Sequence, residues 1–279
     1  MFLKKVYKKK IVITGKSGLL GSTFYRKYSH KYKIISYPYR LENTKKMNKW
    51  FKRKDFNYFI HFAAITNCKN KDAVKNLKKI NIDASINLLK ILAKSRIKNF
   101  NFFLFISSSH VYGHSTVKIK ESKKTLPVNY YGISKKLVED FIIENRARFN
   151  FRIGIARIFN FTGKNQKKGH FIPDIFSKIK KLNTIKGINQ YRDFIHIDDI
   201  CKSIELIIKN KTEKPINISS GKKINLIKIA KIINVKKLNK KIHFDKQKGR
   251  DLFGDNRRLK LLGMWNFKNI NQIIDSYIK

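Results

Sequence analysis

The sequence of residues 11–22 is IVITGKSGLLGS, an apolar run that ends in three regularly spaced glycines. Gly15, Gly18 and Gly21 follow a predicted strand and precede a predicted helix. Glycines at such a junction permit a tight turn and let the backbone approach a pyrophosphate, and the first N–H groups of the helix favour the same anion. Glycine also simply ends strands, so the spacing is informative because it occurs at the first strand-to-helix junction. The glycine spacing at this position predicts a dinucleotide-binding loop.

Short apolar runs then alternate with helical patterns along the first part of the chain. Apolar residues recur at helical spacing within residues 71–95 and again within residues 134–145. The predicted strands are KIVITG (10–15), KIISY (33–37), YFIHFAA (58–64), NFFLFIS (101–107) and RIGIARIFN (152–160). This alternation is typical of βαβ units, and it predicts an α/β fold with a Rossmann-type, doubly wound parallel sheet.

From about residue 164 the pattern becomes irregular, with helices predicted near 172–182 and 198–210. We expect a dinucleotide-binding Rossmann domain over residues 1–163. A smaller C-terminal substrate-binding lobe over residues 164–279 would be interleaved with it and would not fold independently.

The chain is strongly basic, with 64 Lys and Arg against 18 Asp and Glu and a formal net charge of +46. Such a charge suits a nucleic-acid binder, because neutralising phosphates gives affinity without sequence preference. The lysines, however, are scattered over nearly every predicted element and no nucleic-acid motif accompanies them. We therefore favour compositional bias, predict no specific nucleic-acid partner, and expect the charge to attract anionic substrates.

The sequence predicts neither a membrane span nor an export signal. The longest apolar stretches have only the length of a strand, and the basic N-terminal residues run directly into one. Cys68 and Cys201 are far apart and have neither disulfide nor zinc-site spacing. His110 and His114 are four residues apart, but Gly113 argues against a helix that would align them on a metal. We expect a cytoplasmic protein without a metal site.

The end of the second strand bears on the choice of dinucleotide. A site that prefers NAD usually has Asp or Glu there, whereas the segment SYPYRLEN (36–43) has Arg40 at that place and Glu42 only later. A guanidinium can hold a 2′-phosphate with paired donors, and Lys16 of the glycine loop could assist. The alternative is that Arg40 is one more surface cation. We predict NADP, with NAD possible.

The segment PVNYYGISKKLVED (127–140) places Tyr131 and Lys135 four residues apart at the start of a helix. One helical turn brings both side chains to the same face. A nearby ammonium lowers the pKa of a phenol, so we expect Tyr131 to exchange a proton near neutrality. A further polar cluster, FISSSHVYG (105–113), follows the fourth predicted strand.

Taken together, these motifs resemble the short-chain dehydrogenase/reductase superfamily: the glycine loop, HFAA (61–64), the hydroxyl cluster and the Tyr-Lys pair. Asn81, RIFNFTGKNQ (157–166) and RDFIHIDDI (192–200) are similar to its extended branch, the NAD-dependent epimerase/dehydratase family. The resemblance runs in order from Ile11 to about Gly263. It implies hydride transfer on nucleotide-diphosphate sugars.

The resemblance also implies roles for the polar cluster. Ser108 would hydrogen-bond the sugar oxygen that Tyr131 protonates, and Lys135 would hold the nicotinamide ribose. Ser107 would satisfy backbone groups at the strand end. Sugar 4,6-dehydratases carry acidic residues directly after the catalytic Ser or Thr, whereas this chain has Ser109 and His110, so we do not expect dehydratase activity.

In the similar GDP-fucose synthases, an acid/base cysteine takes the place of His110, and a histidine precedes an Ile-Pro pair. This chain has His170-Phe171-Ile172-Pro173 at the matching place. His110 and His170 could therefore flank one sugar and exchange protons beside a ketone. Alternatively, each only packs or binds a hydroxyl group.

For the substrate diphosphate, the resemblance implies Asn160, Arg192 and Arg250, since a guanidinium offers paired donors in a plane. We expect His196, Asp198 and Asp199 to fix a turn and cap the following helix. The residues predicted to bind the dinucleotide are Gly15, Lys16, Ser17, Gly18, Leu19, Leu20, Gly21, Arg40, Ala63, Ala64, Tyr131 and Lys135. The residues predicted to bind the substrate are Ser108, Ser109, His110, Asn160, His170, Arg192 and Arg250.

The sequence thus predicts an NADP-dependent reductase of a nucleotide-diphosphate 4-keto-6-deoxy sugar, which serves surface polysaccharide biosynthesis. An epimerisation of the sugar could precede the reduction. The family suggests a homodimer formed through the two long helices of the sheet domain. One alternative is an NAD-dependent nucleotide-sugar 4-epimerase that uses the same residues without net redox. Another is a non-catalytic protein that senses dinucleotides or binds polyanions.

Overall fold

The computed structural model describes residues 8–52, 54–66 and 70–278 of the chain. These residues form two compact units, each assembled from separate stretches of sequence. The first unit comprises the described residues up to Val111 together with Pro127–Ala156 and Ile207–Pro215. The second comprises Tyr112–Leu126, Arg157–Leu206 and the described residues from Ile216 onward.

The first unit alternates strands and helices. Its elements are β1 (Lys10–Thr14), α1 (Leu19–Tyr28), β2 (Lys33–Ser36), α2 (Thr44–Phe51), β3 (Tyr58–His61), α3 (Lys71–Leu77), α4 (Ala84–Lys94), β4 (Phe102–Ser108), α5 (Tyr130–Glu144) and β5 (Arg152–Ile158), the last two residues of β5 belonging to the second unit. These five strands stand in the order β5-β4-β3-β1-β2. The predicted Rossmann-type α/β fold is confirmed.

The pairs β1–β2, β1–β3 and β3–β4 are parallel, and the mainly apolar central strands suit a parallel sheet, which helices cover on both faces. Val12 of β1 pairs with Ile35 of β2 on one side and with Phe59 of β3 on the other. Every residue of β3 and β4 is buried. Phe59 pairs in register with Phe103, and their rings stack with centroids 5.3 Å apart. Each such buried ring contributes roughly 1.5–3 kcal/mol of transfer free energy.

The helix predicted over residues 71–95 is present but interrupted. A π-helical segment, Lys78–Asp83, separates α3 from α4 and carries the buried Asn81. π-helical segments inside α-helices frequently mark functional sites.

The second unit holds short strands and helices around its own core. Its elements are β6 (Asn160–Thr162), α6 (Phe171–Lys181), β7 (Thr184–Ile185), β8 (Tyr191–Arg192), β9 (Phe194–His196), α7 (Ile197–Asn210, ending in the first unit), β10 (Ile216–Ile218), β11 (Ile224–Asn225), α8 (Leu226–Lys237), β12 (His243–Phe244), α9 (Arg257–Leu261) and α10 (Ile270–Ile278). Buried isoleucines from α6, α8 and α10, among them Ile179, Ile229 and Ile274, pack together. In the described part of the chain, no helix is long and apolar enough to cross a membrane.

Candidate functional site

The glycine loop between β1 and α1 requires glycine at two positions for steric reasons. Gly15 has φ +69°, and a Cβ there would lie 2.7 Å from the Ala63 backbone nitrogen. A Cβ on Gly21 would lie only 2.3 Å from the Gly15 carbonyl oxygen, so α1 and the loop touch backbone to backbone. At Gly18 the nearest atom, again the Gly15 oxygen, would be 3.4 Å away, which is an ordinary contact.

This loop fits the phosphates of a dinucleotide. Gly18 is the N-cap of α1 and no side chain caps the helix there, so its first N–H groups point out of the helix end. Helix N-termini of this kind attract anions through free N–H groups and the helix dipole. The predicted contact residues Lys16 and Ser17 form the exposed turn before it, and Leu19 and Leu20 begin the helix.

The loop after β3 closes the other side of this region. The Ala63 N–H donates to Thr14 Oγ1 at 3.2 Å, and Ala64 is exposed beside it. Asn81 fixes the same loop from below, accepting from the Ile65 N–H at 2.9 Å and donating to the Ile65 carbonyl at 2.8 Å. The Asn81 side-chain amide therefore provides the hydrogen-bond partners that Ile65, in an irregular loop, would otherwise find in a neighbouring strand.

The segment after β2 carries the cation that the sequence predicts for the choice of dinucleotide. Arg40 is exposed four residues beyond the end of β2. The ammonium of Lys16 lies 3.7 Å from the centroid of the Tyr25 ring, a cation–π contact. That Arg40 and Lys16 hold a 2′-phosphate stays a prediction.

The three predicted catalytic groups come together at the carboxyl end of β4. The Ser108 hydroxyl lies near enough to the Tyr131 phenol to lower its pKa. The Lys135 ammonium lies 6.0 Å from the Tyr131 ring centroid and donates to the Ile106 carbonyl at 2.8 Å. Spacing of four residues in α5 places Tyr131 and Lys135 on one face, as predicted.

The expected pKa of Tyr131, however, is wrong in direction. Burial raises the pKa of this phenol to about 12, and the Ser108 hydroxyl opposes the rise. Burial also lowers the pKa of Lys135 to about 7, and the carboxylate of Glu139 opposes that fall. Desolvation is the largest influence on both groups, so the phenol is protonated at neutral pH.

His110 lies beside the phenol. Its ring and that of Tyr131 meet edge to face with centroids 5.8 Å apart. The Asn129 amide donates to His110 Nδ1 at 2.9 Å, and a neutral imidazole that accepts there has its proton on Nε2. Among the described residues, the buried Ser109 hydroxyl has no hydrogen-bond partner. His110 and Ser109 are thus a potential donor and an unsatisfied hydroxyl group near Tyr131.

The expectation for Ser107 is also wrong. Its hydroxyl donates to Glu139 Oε1 at 2.5 Å and does not serve the backbone at the strand end. The reason is that Glu139 is itself buried and needs a donor.

Two supporting residues were missed by the sequence reasoning. Asn129 caps α5 by accepting from the Gly132 N–H at 2.7 Å, while its amide group orients His110. A Cβ on Gly132 would lie 2.4 Å from the His110 carbonyl oxygen, so only glycine allows this approach. An Asn three residues before a Gly at a helix start was the available signal.

In the second unit, Asn160 has the character of a ligand-binding residue. It begins β6, which pairs with β9, and its buried Nδ2 has no hydrogen-bond partner within the described ranges. A buried donor without a partner is costly unless something binds it. His170, exposed, is the N-cap residue of α6, and its predicted acid/base role stays a prediction.

Arg192 contacts the backbone of Arg250, and the binding of a diphosphate by these two arginines stays a prediction. Arg192 donates through Nη1 to the Arg250 carbonyl and through Nη2 to Gln190 Oε1 at 2.9 Å. The two arginines also act on His114, whose pKa is lowered first by burial and then by Arg250 and Arg192. His114 was missed as a neighbour of this site, because its sequence position gives no sign of it.

The segment from His196 to Asp199 is tied mainly to Lys268. The His196 Nδ1 accepts from the Asp198 N–H at 3.2 Å, as a turn-fixing residue should. Asp199 Oδ2, in contrast, accepts from the Lys268 N–H at 2.9 Å, and Asp198 forms an ion pair with the Lys268 ammonium at 3.0 Å. Within residues 8–52, 54–66 and 70–278, no three His, Cys, Asp or Glu side chains cluster as metal ligands would.

The family of the chain follows from comparison with known proteins. Residues 11–219 match the model of the NAD dependent epimerase/dehydratase family. Because this match covers most of the chain and the glycine loop and the Ser108, Tyr131 and Lys135 cluster both lie within it, the chain belongs to that family.

Characterised relatives are nucleotide-sugar enzymes. The chain is 27% identical over 223 residues to GDP-6-deoxy-D-talose 4-dehydrogenase of Aggregatibacter actinomycetemcomitans, covering 76% of this chain and 74% of the relative. It is 29% identical over 224 residues to dTDP-4-dehydro-6-deoxyglucose reductase of Escherichia coli, covering 77% and 69%. A solved structure of RMD from Pseudomonas aeruginosa complexed with NADPH matches with a TM-score of 0.83 and 21% identity over 96% and 97% of the two chains. This last likeness bears on the fold alone.

Proposed function

We propose that this chain is an NADP-dependent reductase of a nucleotide-diphosphate 4-keto-6-deoxy sugar, serving the synthesis of surface glycan precursors. The observation that carries the proposal is the convergence of Ser108, a protonated Tyr131 and Lys135 at the carboxyl end of β4, with Lys135 buried one helical turn from Tyr131. The names of two relatives, a 4-dehydrogenase of one deoxy sugar nucleotide and a reductase of another, fit the same chemistry.

The residues suit the reduction of a ketone. A reduced nicotinamide, when bound, supplies the hydride. Tyr131 keeps its proton at neutral pH, so it can donate that proton to the sugar oxygen as negative charge develops there. Ser108 would hydrogen-bond the same oxygen. Lys135, held by the Ile106 carbonyl, would contact the cofactor ribose and supply positive charge beside the phenol.

Cations and amides suit the remaining parts of the ligands. Arg40, in a segment without an acid at the strand end, is our candidate for the 2′-phosphate of NADP. Asn160, Arg192 and Arg250 of the second unit are candidates for the diphosphate, the first through its unpartnered amide. His110 and His170 belong to different units. They are the candidate residues for an epimerisation step, which the proposed reduction does not require.

The test is a panel of nucleotide-diphosphate 4-keto-6-deoxy sugars with guanosine, thymidine and uridine nucleotides, incubated with NADPH or NADH. We expect at least one sugar to oxidise NADPH, and the loss of absorbance at 340 nm measures this oxidation. We expect kcat/KM for NADPH to be at least tenfold above that for NADH. Product NMR should show a C4 hydroxyl in place of the ketone.

Other outcomes of the panel would contradict this proposal. Co-purification of tightly held NAD, together with interconversion of 4-hydroxy sugars without net redox, would establish a 4-epimerase. Dinucleotide binding with no turnover of any sugar would support a non-catalytic sensor. Equal use of NADPH and NADH would refute the assignment of Arg40 to the 2′-phosphate of NADP.

We also propose a homodimer in which α5 faces a second copy of the chain. Tyr130, Ile133 and Leu137 lie at helical spacing on α5 and are 57%, 40% and 44% exposed. An apolar stripe of this kind on a helix of a charged protein indicates a contact surface. We assign this surface to a second copy of the chain because the family resemblance places the dimer contact on the two long helices of the sheet domain.

We expect light scattering of the wild type to give twice the chain mass of 33.0 kDa. Leu137→Glu should weaken association at least tenfold and yield monomers at micromolar concentration, since it puts a charge in the apolar contact. Val235→Glu is the matched control, because Val235 is 68% exposed on α8 and outside the stripe. A monomeric wild type or a dimeric Leu137→Glu variant would refute the proposed interface.

A further inference from the structure

We propose that Glu139 is a positioning residue of this site, whose buried carboxylate, held by Ser107, favours the ammonium form of the Lys135 side chain. The inference rests on the proposed function, because it assigns Glu139 a task in the same reaction. Glu139 would act through Lys135 and not on the reacting atoms.

The geometry links β4 to one face of α5 through three consecutive residues. The Ile106 carbonyl accepts from the Lys135 ammonium at 2.8 Å, and the Ser107 hydroxyl donates to Glu139 at 2.5 Å. The hydroxyl of the next residue, Ser108, lies near the Tyr131 phenol and lowers its pKa. The strand end that carries the predicted catalytic hydroxyl is thus hydrogen-bonded to α5 at the lysine and the glutamate.

Burial gives this arrangement its electrostatic consequence. The side chains of Lys135 and Glu139 are 2% and 1% exposed, so water screens their interaction weakly. Burial is the largest influence on the pKa of Lys135, lowering it to about 7, and the charge of Glu139 raises it. A carboxylate one turn further along the helix therefore offsets part of the cost of burying the ammonium.

Among the described residues, the other titratable groups that face Lys135 do not supply a negative charge. His61 on β3 is buried between Thr14 and Ser85, and burial followed by the Lys135 charge lowers its pKa to about 3. It is therefore neutral. Tyr131, on the same helix as Lys135, stays protonated because burial raises the pKa of its phenol to about 12. The counter-charge for Lys135 thus comes from Glu139.

The substitution Glu139→Gln separates charge from shape. Glutamine keeps the length of the side chain and an oxygen that accepts from Ser107, but it has no charge. We expect the Lys135 pKa to fall by about one unit or more, the size typical for loss of an opposite charge at close range. Lys135 would then be an uncharged amine at neutral pH.

The titration of Lys135 can be observed without any substrate. In protein labelled with [13Cε]lysine, ordinary lysines stay charged up to about pH 10, so a resonance that titrates near pH 7 stands apart. Lys135→Met should remove it and so assign it. Glu139→Gln should move its midpoint to lower pH by about one unit. Asp140→Asn is the matched control: Asp140 lies on the same helix, pairs with Lys136 at 2.5 Å, and its loss changes the net charge equally.

The kinetic readout should follow the same shift. If ammonium at Lys135 is needed for reduction, the alkaline limb of kcat/KM against pH should move to lower pH in Glu139→Gln by the same amount. Glu139→Asp, which keeps the charge, should recover the wild-type profile to within half a pH unit. A role of Glu139 in packing alone would lower activity at every pH without moving the limb.

The outcomes distinguish the two proposals. A Glu139→Gln midpoint within 0.2 pH units of wild type, in folded protein, overturns the inference whatever the sugar panel gives. A shifted midpoint with no turnover in the panel supports the inference about Lys135 while refuting the proposed reductase. If Glu139→Gln does not fold, the double variant Ser107→Ala/Glu139→Leu, which removes the charge and its hydrogen-bond donor together, is titrated in its place, and an unchanged midpoint in it overturns the inference.

Discussion

Tyr131→Phe should lower kcat for ketone reduction by about 10³-fold, within the range that a lost general acid typically costs. The variant removes one oxygen and leaves the ring, so its contact with His110 and the fold of α5 should persist. With the hydroxyl gone, the sugar oxygen would keep Ser108 as a hydrogen-bond partner but would have no proton donor of suitable geometry. We therefore expect the loss in kcat and little change in dinucleotide affinity.

Single-turnover absorbance at 340 nm measures this effect, and fluorescence titration with NADPH measures cofactor affinity alongside it. Tyr130→Phe is the matched control, since Tyr130 is the preceding residue and is 57% exposed. It should keep wild-type kcat to within twofold. Retention of more than a tenth of the activity in Tyr131→Phe would show that another group donates the proton, and unchanged function in the cell would favour a dinucleotide sensor.

The parts of this molecule that the sequence predicted are those with local causes. The glycine loop, the apolar strands and the Tyr131–Lys135 spacing each depend on residues a few positions apart, where steric rules and helical periodicity act. The π-helical segment at Asn81 was not predicted, because its benefit lies in a partner, the Ile65 backbone, that is 16 residues away.

The features that the sequence misjudged depend on burial. The pKa of Tyr131 was expected to fall beside a lysine, and it rises because both groups are taken out of water. Ser107 was assigned to the backbone because nothing in the sequence places Glu139, 32 residues later, against it. His114 gave no sign that Arg192 and Arg250 would surround it, since those arginines lie on distant segments.

Gly21→Ala should destabilise the first unit by about 3 kcal/mol, at the upper end of the cost of overpacking. The added methyl group would stand 2.3 Å from the Gly15 carbonyl oxygen and 3.2 Å from the Lys16 Cα. Both are backbone atoms, so a side-chain rotation cannot relieve the clash. The start of α1 must move away from the loop, which displaces the N–H groups that we assign to the dinucleotide phosphates. We expect dinucleotide affinity to fall at least tenfold as a result.

Urea unfolding tests the loss of stability, with Gly18→Ala as the matched control for stability alone, and NADPH fluorescence titration tests the loss of affinity. A methyl group at Gly18 would find its nearest atom at 3.4 Å, and its backbone φ of −73° is open to alanine, so stability should change by less than about 1 kcal/mol. A Gly21→Ala variant as stable as Gly18→Ala would show that α1 and the loop do not touch at this point. Because the same contact fixes the loop for its ligand, undiminished NADPH binding in that variant would withdraw the glycine loop from the cofactor site.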